Sequence, residues 1–212
     1  MLDKIFRSEK AMKHAKDEND HYPAIYERWF QHKRFDIRHF LEIGVHKGGA
    51  LRAWSRYFPG AEIYGVDIKD RLDTSKTYNN CKIKVEFGDA TDGSFMRKTF
   101  SNIDFDIIID DASHMVEHQL ETFSIMFQRV KPGGVYVVED THSSYWPEFN
   151  GGYGTGNFID KTKVFADYVN YRAYKISERA GELKVKEVPT WLEKNICSVS
   201  YFRGLCFIER TK

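Results

Sequence analysis

The run Phe105-Asp106-Ile107-Ile108-Ile109 constrains the fold more than any other stretch of the chain. It is nearly all apolar and stops at Asp110-Asp111. A strand of this composition is buried on both faces, as in the middle of a parallel sheet. The segments around it alternate between strands and helices. His39–Ile43 (HFLEI) is an apolar run ending at Gly44, and Gly49–Phe58 reads as a helix stopped by Pro59-Gly60. Ala61–Asp67 (AEIYGVD) and Lys82–Phe87 (KIKVEF) read as the next two strands, the latter with Val85 and Phe87 on one face. Val116–Arg129 follows as a helix, Pro132-Gly133-Gly134 as a turn, and Val135–Val138 (VYVV) as the fifth strand. This alternation predicts a parallel sheet with helices on both faces.

Both ends of the chain change rhythm. Ser198–Phe202 and Leu205–Ile208, separated by Arg203-Gly204, read as a hairpin. A long helix is expected over Phe158–Ser177, and a polar one over Lys4–Lys16. Tyr22–Gln31 (YPAIYERWFQ) places Tyr22, Ile25, Tyr26 and Trp29 on one helical face.

The 212 residues suit one domain preceded by a short segment, divided here as 1–37 and 38–212. Apolar residues at 42% and charged residues at 30% are a soluble globular mixture. No apolar run is long enough for a membrane span, and the charged N-terminus lacks a signal core, so a cytoplasmic protein is expected. Lys plus Arg number 32 against 31 Asp plus Glu, a balance that argues against a general nucleic-acid binder. Cys81, Cys197 and Cys206 form no CxxC pair and fit reduced thiols better than a disulfide framework.

Several motifs carry chemistry. Leu41-Glu42-Ile43-Gly44-Val45-His46-Lys47-Gly48-Gly49 joins a strand to a helix, the context of a cofactor loop. Gly44 and Gly48 would admit a ligand close to the backbone. His46 occupies the place of a middle glycine, so the alternative of an ordinary tight turn stays open. Asp67, at the tip of the next strand, suits the hydroxyls of a ribose, or else is a solvated turn residue. In Gly88-Asp89-Ala90-Thr91-Asp92 a side-chain acceptor can take an adenine amino group, or Asp89 or Asp92 caps the next helix.

The most informative pair is Ile109-Asp110-Asp111-Ala112-Ser113-His114 with Val138-Glu139-Asp140. Strands four and five are neighbours in this topology, about 4.8 Å apart. Asp110, Asp111, Glu139 and Asp140 therefore converge at the carboxyl edge, where such sheets bind ligands. Uncompensated, they would repel and raise one another's pKa values. A hard divalent cation, Mg²⁺ or Mn²⁺, resolves this. The alternative spreads them out, with Asp110 or Asp111 capping a helix and Glu139 facing solvent. His114 precedes a helix, whose N-terminus disfavours imidazolium, so it suits a proton acceptor as well as a structural role. The loop from Thr141 to Gly156 mixes aromatic rings, polar groups and glycines, which suits a sugar-like acceptor or an Ω-loop anchored by Trp146.

On these motifs Leu41–Arg210 resembles a class I S-adenosylmethionine-dependent methyltransferase. IDDASH, VVEDTHSSYWPEF and DENDHYPAIYERWF are similar to metal-dependent sugar O-methyltransferases of macrolide biosynthesis, the mycinamicin and tylosin type. Similar sequences carry the label cephalosporin hydroxylase, but nothing here resembles the iron site that such an enzyme needs. The resemblance implies a Rossmann-like seven-stranded sheet, mostly parallel, with a C-terminal antiparallel hairpin and helices on both faces. It implies S-adenosylmethionine and Mg²⁺ or Mn²⁺ as cofactors. Glu42, Gly44, Gly48, Asp67, Asp89, Ala90 and Asp110 would bind the former; Asp111, Glu139 and Asp140 would bind the metal. His114 would be the general base, removing a proton from a hydroxyl as it is methylated.

Tyr22, Tyr26 and Trp29 would belong to a lid or subunit contact, with a homo-oligomer compatible. The implied acceptor is a sugar hydroxyl of a glycosylated natural product, a nucleotide sugar or a polysaccharide. Two departures stand out: the macrolide enzymes carry a large N-terminal region not matched here, and the glycine of their DDGSH is Ala112. Rival readings are methylation of a catechol-like molecule, a non-catalytic S-adenosylmethionine-binding partner, and a nicotinamide dehydrogenase. The last is disfavoured by the glycine loop and the terminal hairpin.

Overall fold

The computed structural model describes residues 1–11, 21–73, 82–170 and 190–212. In chain order the elements are α1 (Leu2–Ser8), α2 (Tyr22–Phe30), β1 (His39–Ile43), α3 (Gly49–Tyr57), β2 (Glu62–Asp67) and β3 (Ile83–Phe87). Then come α4 (Gly93–Thr99), β4 (Phe105–Asp110), α5 (Val116–Met126) and β5 (Val130–Val138). After β5 follow α6 (Phe158–Lys163), α7 (Phe165–Asn170), a short helix Trp191–Asn195, β6 (Ile196–Phe202) and β7 (Leu205–Arg210).

The strands form one seven-stranded sheet in the order β3-β2-β1-β4-β5-β7-β6. The first five run parallel, and β7 runs antiparallel to both β5 and β6. The chain walks outward from β1 to β3, then crosses to β4 on the other side of β1. That reversal opens the crevice at the carboxyl edge where α/β sheets take their ligands.

The inner strands are buried on both faces, as their apolar runs require. Phe40, Ile63, Ile107, Ile109, Val135 and Val137 pack against α1, α2 and α3. Leu41, Tyr64, Ile108, Tyr136 and Val138 face the opposite layer, built from α4, α5, α6 and α7. The apolar face of α2 is part of the first layer: Tyr26 and Phe30 are fully buried, and Trp54 stands edge-on to Tyr26 at 5.1 Å.

Several boundaries differ from the sequence reading. Pro132-Gly133-Gly134 is a bulge inside β5: Phe105 pairs with Val130, and pairing resumes at Ile107 with Val135. Gly133 takes φ +77°, which lets the strand bulge and rejoin its ladder. The α-helix over Val116 ends at Met126 and tightens into a 3₁₀ turn, Phe127–Arg129. The helix expected from Phe158 is two short helices that meet at Val164, and its last residues, 171–177, lie outside the described part. The helix expected over Lys4–Lys16 begins earlier and stops at Ser8 as α1, Glu9–Ala11 are not helical, and residues 12–16 are again outside. Phe87 is exposed because β3 is an edge strand. Cys197 and Cys206 are free thiols; Cys81 lies outside the described residues.

Candidate active site at the carboxyl edge

The sheet ladder continues one residue past the strand tips. Asp111 N–H donates to Ile43 O at 2.8 Å, and Glu139 N–H donates to Asp110 O at 2.9 Å. Register therefore fixes where both acids leave the sheet. Beyond them the backbone turns sharply: His114 has φ +59° and Asp140 has φ +50°, the left-handed region that residues with a Cβ seldom enter. Ser143 Oγ donates to the His114 carbonyl at 3.1 Å and ties the two turns together.

These turns bring Asp111, His114 and Asp140 into one group. One ligating atom from each lies within 4.8 Å of the others. His114 Nε2 is 3.6 Å from Asp140 Oδ2. Two carboxylates at this spacing fit a divalent cation with oxygen ligands, and the His114 imidazole stands beside them.

Glu139 lies outside that triplet. It is half-buried, and its Oε1 accepts from the Tyr26 hydroxyl at 2.5 Å. Burial pushes its pKa up; the Tyr26 hydroxyl opposes this, and Asp140 and Asp110 add to it. Asp110 is buried on the other face of β4, accepting from Ala112 N–H at 3.3 Å and from the Tyr136 hydroxyl at 3.2 Å. Its burial outweighs these two bonds and pushes its pKa to about 7. Asp110 thus shapes the Asp111-Ala112 turn from beneath.

The cofactor candidates line the neighbouring tips. Gly44 has φ +94° and Gly48 φ +72°. A Cβ on Gly44 would overlap the Asp111 carbonyl oxygen, so the approach that demands glycine there is that of β4 itself. Asp67 Oδ2 accepts from His46 N–H at 2.8 Å, and Oδ1 from Lys69 N–H at 3.0 Å. Its carboxylate is thereby held at the mouth of the loop. Glu42 is buried in β1, and its Oε2 has no hydrogen-bond partner among the described residues. Burial and then Glu139 push its pKa up, against a hydrogen bond from Trp54. An orphaned acceptor this close to the glycine loop fits a cofactor that brings donors. Asp92, not Asp89, caps α4, accepting from Ser94 N–H at 2.8 Å and Phe95 N–H at 3.2 Å. Asp89 is exposed beside Ala90, its carboxylate held by Thr91 N–H and Thr91 Oγ and kept below its usual pKa by them.

The loop after β5 supplies an aromatic wall. Ring centroids run from His114 to Phe149 at 6.1 Å, on to Trp146 at 6.0 Å, and on to His142 at 4.9 Å. Trp146 is 43% exposed, which makes its face available. Beside it a cavity of about 370 Å³ is lined by Tyr145, Ile159, Tyr201 and Phe202 among others.

The sequence reading placed Tyr22 and Tyr26 on an apolar face but missed what their hydroxyls reach. Tyr22 Oη lies 2.8 Å from Asp140 Oδ1 and 3.0 Å from Gly204 O, and shares its proton between them. Burial, reinforced by the neighbouring carboxyls, pushes both phenols far above their ordinary pKa, so both remain donors.

No family model matches the chain. Over 199 residues it is 34% identical to the 8-demethyl-8-alpha-L-rhamnosyl tetracenomycin-C 2'-O-methyltransferase of Streptomyces olivaceus, covering 89% of this chain and 50% of that protein. It is 30% identical to the mycinamicin VI 2''-O-methyltransferase of Micromonospora griseorubida, over 87% of this chain and 47% of the relative. Among solved structures, the MycE methyltransferase of the mycinamycin pathway, in complex with Mg and SAH, superposes with a TM-score of 0.84 at 28% identity. That match covers 100% of this chain and 53% of MycE. The chain thus spans about half the length of the curated relatives it matches.

Proposed function

With its class I methyltransferase fold the chain is a homologue of the sugar O-methyltransferases of tetracenomycin and macrolide biosynthesis, and on that premise we propose that it methylates a sugar hydroxyl using S-adenosylmethionine and a divalent cation. The acceptor sugar belongs to a glycosylated natural product, a nucleotide sugar or a polysaccharide. The observation that carries this reading is the Asp111, His114, Asp140 group, gathered within 4.8 Å at the mouth of a cofactor crevice.

Asp111 and Asp140 hold the cation, with Glu139 next to them as the further carboxylate. When bound, Mg²⁺ or Mn²⁺ supplies Lewis-acid polarisation of the acceptor hydroxyl. His114 takes the hydroxyl proton as the oxygen gains the methyl group. Asp67 orients the ribose hydroxyls, Asp89 and Ala90 flank the adenine, and Glu42 with the Gly44–Gly48 loop receives the amino-acid end. Trp146 and Phe149 give the acceptor ring a face to stack on, next to the base.

The test is S-adenosylhomocysteine release with a panel of glycosides, before and after EDTA. Turnover that stops with chelation and returns with Mg²⁺ is expected. Full turnover in EDTA after exhaustive dialysis would remove the cation from the mechanism.

A further inference from the structure

Glu139 and Asp140 are adjacent in the chain, yet both reach the same face of α2. In an extended strand successive side chains point to opposite faces, so two neighbouring acids should not meet one helix. The left-handed turn at Asp140, φ +50° and ψ +36°, breaks the alternation and swings its carboxylate round. On α2 the two partners are Tyr22 and Tyr26, four residues apart and therefore on one helical face.

The contacts select individual oxygens. Tyr22 engages Asp140 Oδ1 at 2.8 Å, while Asp140 Oδ2 is the oxygen 3.6 Å from His114 Nε2. The tyrosine thus decides which oxygen turns toward the Asp111–His114 side. Tyr26 engages Glu139 Oε1 at 2.5 Å from a ring that is fully buried, edge-on to Trp54 at 5.1 Å and tilted on Phe207 at 5.7 Å. Neither phenol has room to swing. Tyr22 is fixed from a third side by the hairpin turn, where the space for a Cβ on Gly204 is filled by its hydroxyl.

We propose that Tyr22 and Tyr26 are positioning residues of the cation site, a paired hydroxyl clamp by which α2 presets the rotamers of Asp140 and Glu139. The proposal rests on the cation-binding reading above. It makes α2 a structural part of the site, and it ties cation affinity to the docking of that helix.

The experiment is titration of the full chain with Mn²⁺, followed by calorimetry and by the electron paramagnetic resonance of free Mn²⁺. Tyr22→Phe and Tyr26→Phe keep the rings and remove only the hydroxyls. Each is expected to bind Mn²⁺ about 10- to 100-fold more weakly, as loss of a partner that orients a ligand does. Their S-adenosylmethionine affinity should match the wild type. Trp29→Phe, on the same helix and packed on Phe207 at 4.7 Å, should keep wild-type Mn²⁺ affinity. Unchanged affinity in both tyrosine variants would overturn the clamp, and so would an equal loss in Trp29→Phe. If Tyr26→Phe fails to fold, Tyr22→Phe at the rim of the helix decides the matter. A wild type that binds no Mn²⁺ would instead overturn the cation reading itself, and the clamp with it.

Discussion

Gly44 and Asp111 meet backbone to backbone: a Cβ on Gly44 would overlap the Asp111 carbonyl oxygen, while Asp111 N–H donates to Ile43 O at 2.8 Å. The glycine loop and the first acid of the candidate cation site therefore share one contact. Gly44→Ala would add that clash to the strain of a side chain at φ +94°. A loss of at least about 1–3 kcal/mol in urea unfolding is expected, together with weaker Mn²⁺ binding. Wild-type stability in this variant would show that the two tips are not packed as described.

On the proposed mechanism His114 takes the acceptor proton. His114→Ala should lower kcat by about 10²–10⁴-fold, the usual worth of a general base. The Kd for S-adenosylmethionine should stay at its wild-type value, because the cofactor candidates lie on other strand tips. Retained turnover would reassign the proton transfer.

Trp146 is the exposed ring of the wall that leads to His114. Trp146→Ala should raise the acceptor KM by roughly 2- to 10-fold, the worth of about 0.5–1.5 kcal/mol of stacking, with cofactor affinity untouched. An unchanged KM across the glycoside panel would place the acceptor elsewhere.

Gly204 stands at φ +75° with the Tyr22 hydroxyl in the space of its missing side chain. In Gly204→Ala the methyl group pushes Tyr22 away from Asp140. Mn²⁺ affinity should fall about 10-fold or more, comparably to Tyr22→Phe. The double variant Gly204→Ala/Tyr22→Phe should be little worse than either alone, since both act through one hydroxyl. Additive losses would argue against that shared route.

Glu9 anchors the end of α1 to α3 through Arg52 Nε at 3.2 Å and Arg56 Nη1 at 2.7 Å. Burial raises its pKa, but the two guanidiniums together outweigh this and hold it below the usual carboxylate range. A depressed folded-state pKa stabilises above the unfolded value and ceases to do so as pH falls through the folded one. Glu9→Gln should therefore lower Tm by roughly 1–3 °C near neutral pH. The gap should close as the pH drops below the depressed pKa. A gap that persists in acid would mean that packing, not charge, is what Glu9 contributes.

Much of the architecture was legible because it rests on local pattern. The apolar runs of β1, β4 and β5, with Gly44 and Gly48 after β1 and Gly204 between β6 and β7, specify strands and reversals within a few residues of chain. The bulge at Pro132–Gly134 was not, since a turn and a bulge use the same residues. Only the resumption of pairing at Ile107 with Val135 tells them apart. The break at Val164 was equally hidden, because the helical pattern runs on across it.

The sequence by itself determined that acids leave the ends of β4 and β5 side by side, because register and alternation are local properties of the chain. It did not determine which of them share a site. Asp110 turns inward to Tyr136, Glu139 is held by Tyr26, and His114 joins Asp111 and Asp140. Those assignments depend on two left-handed turns and on a helix more than a hundred residues away in sequence. Only tertiary structure decides such things, since a carboxylate's orientation is set by the partners that folding brings to it.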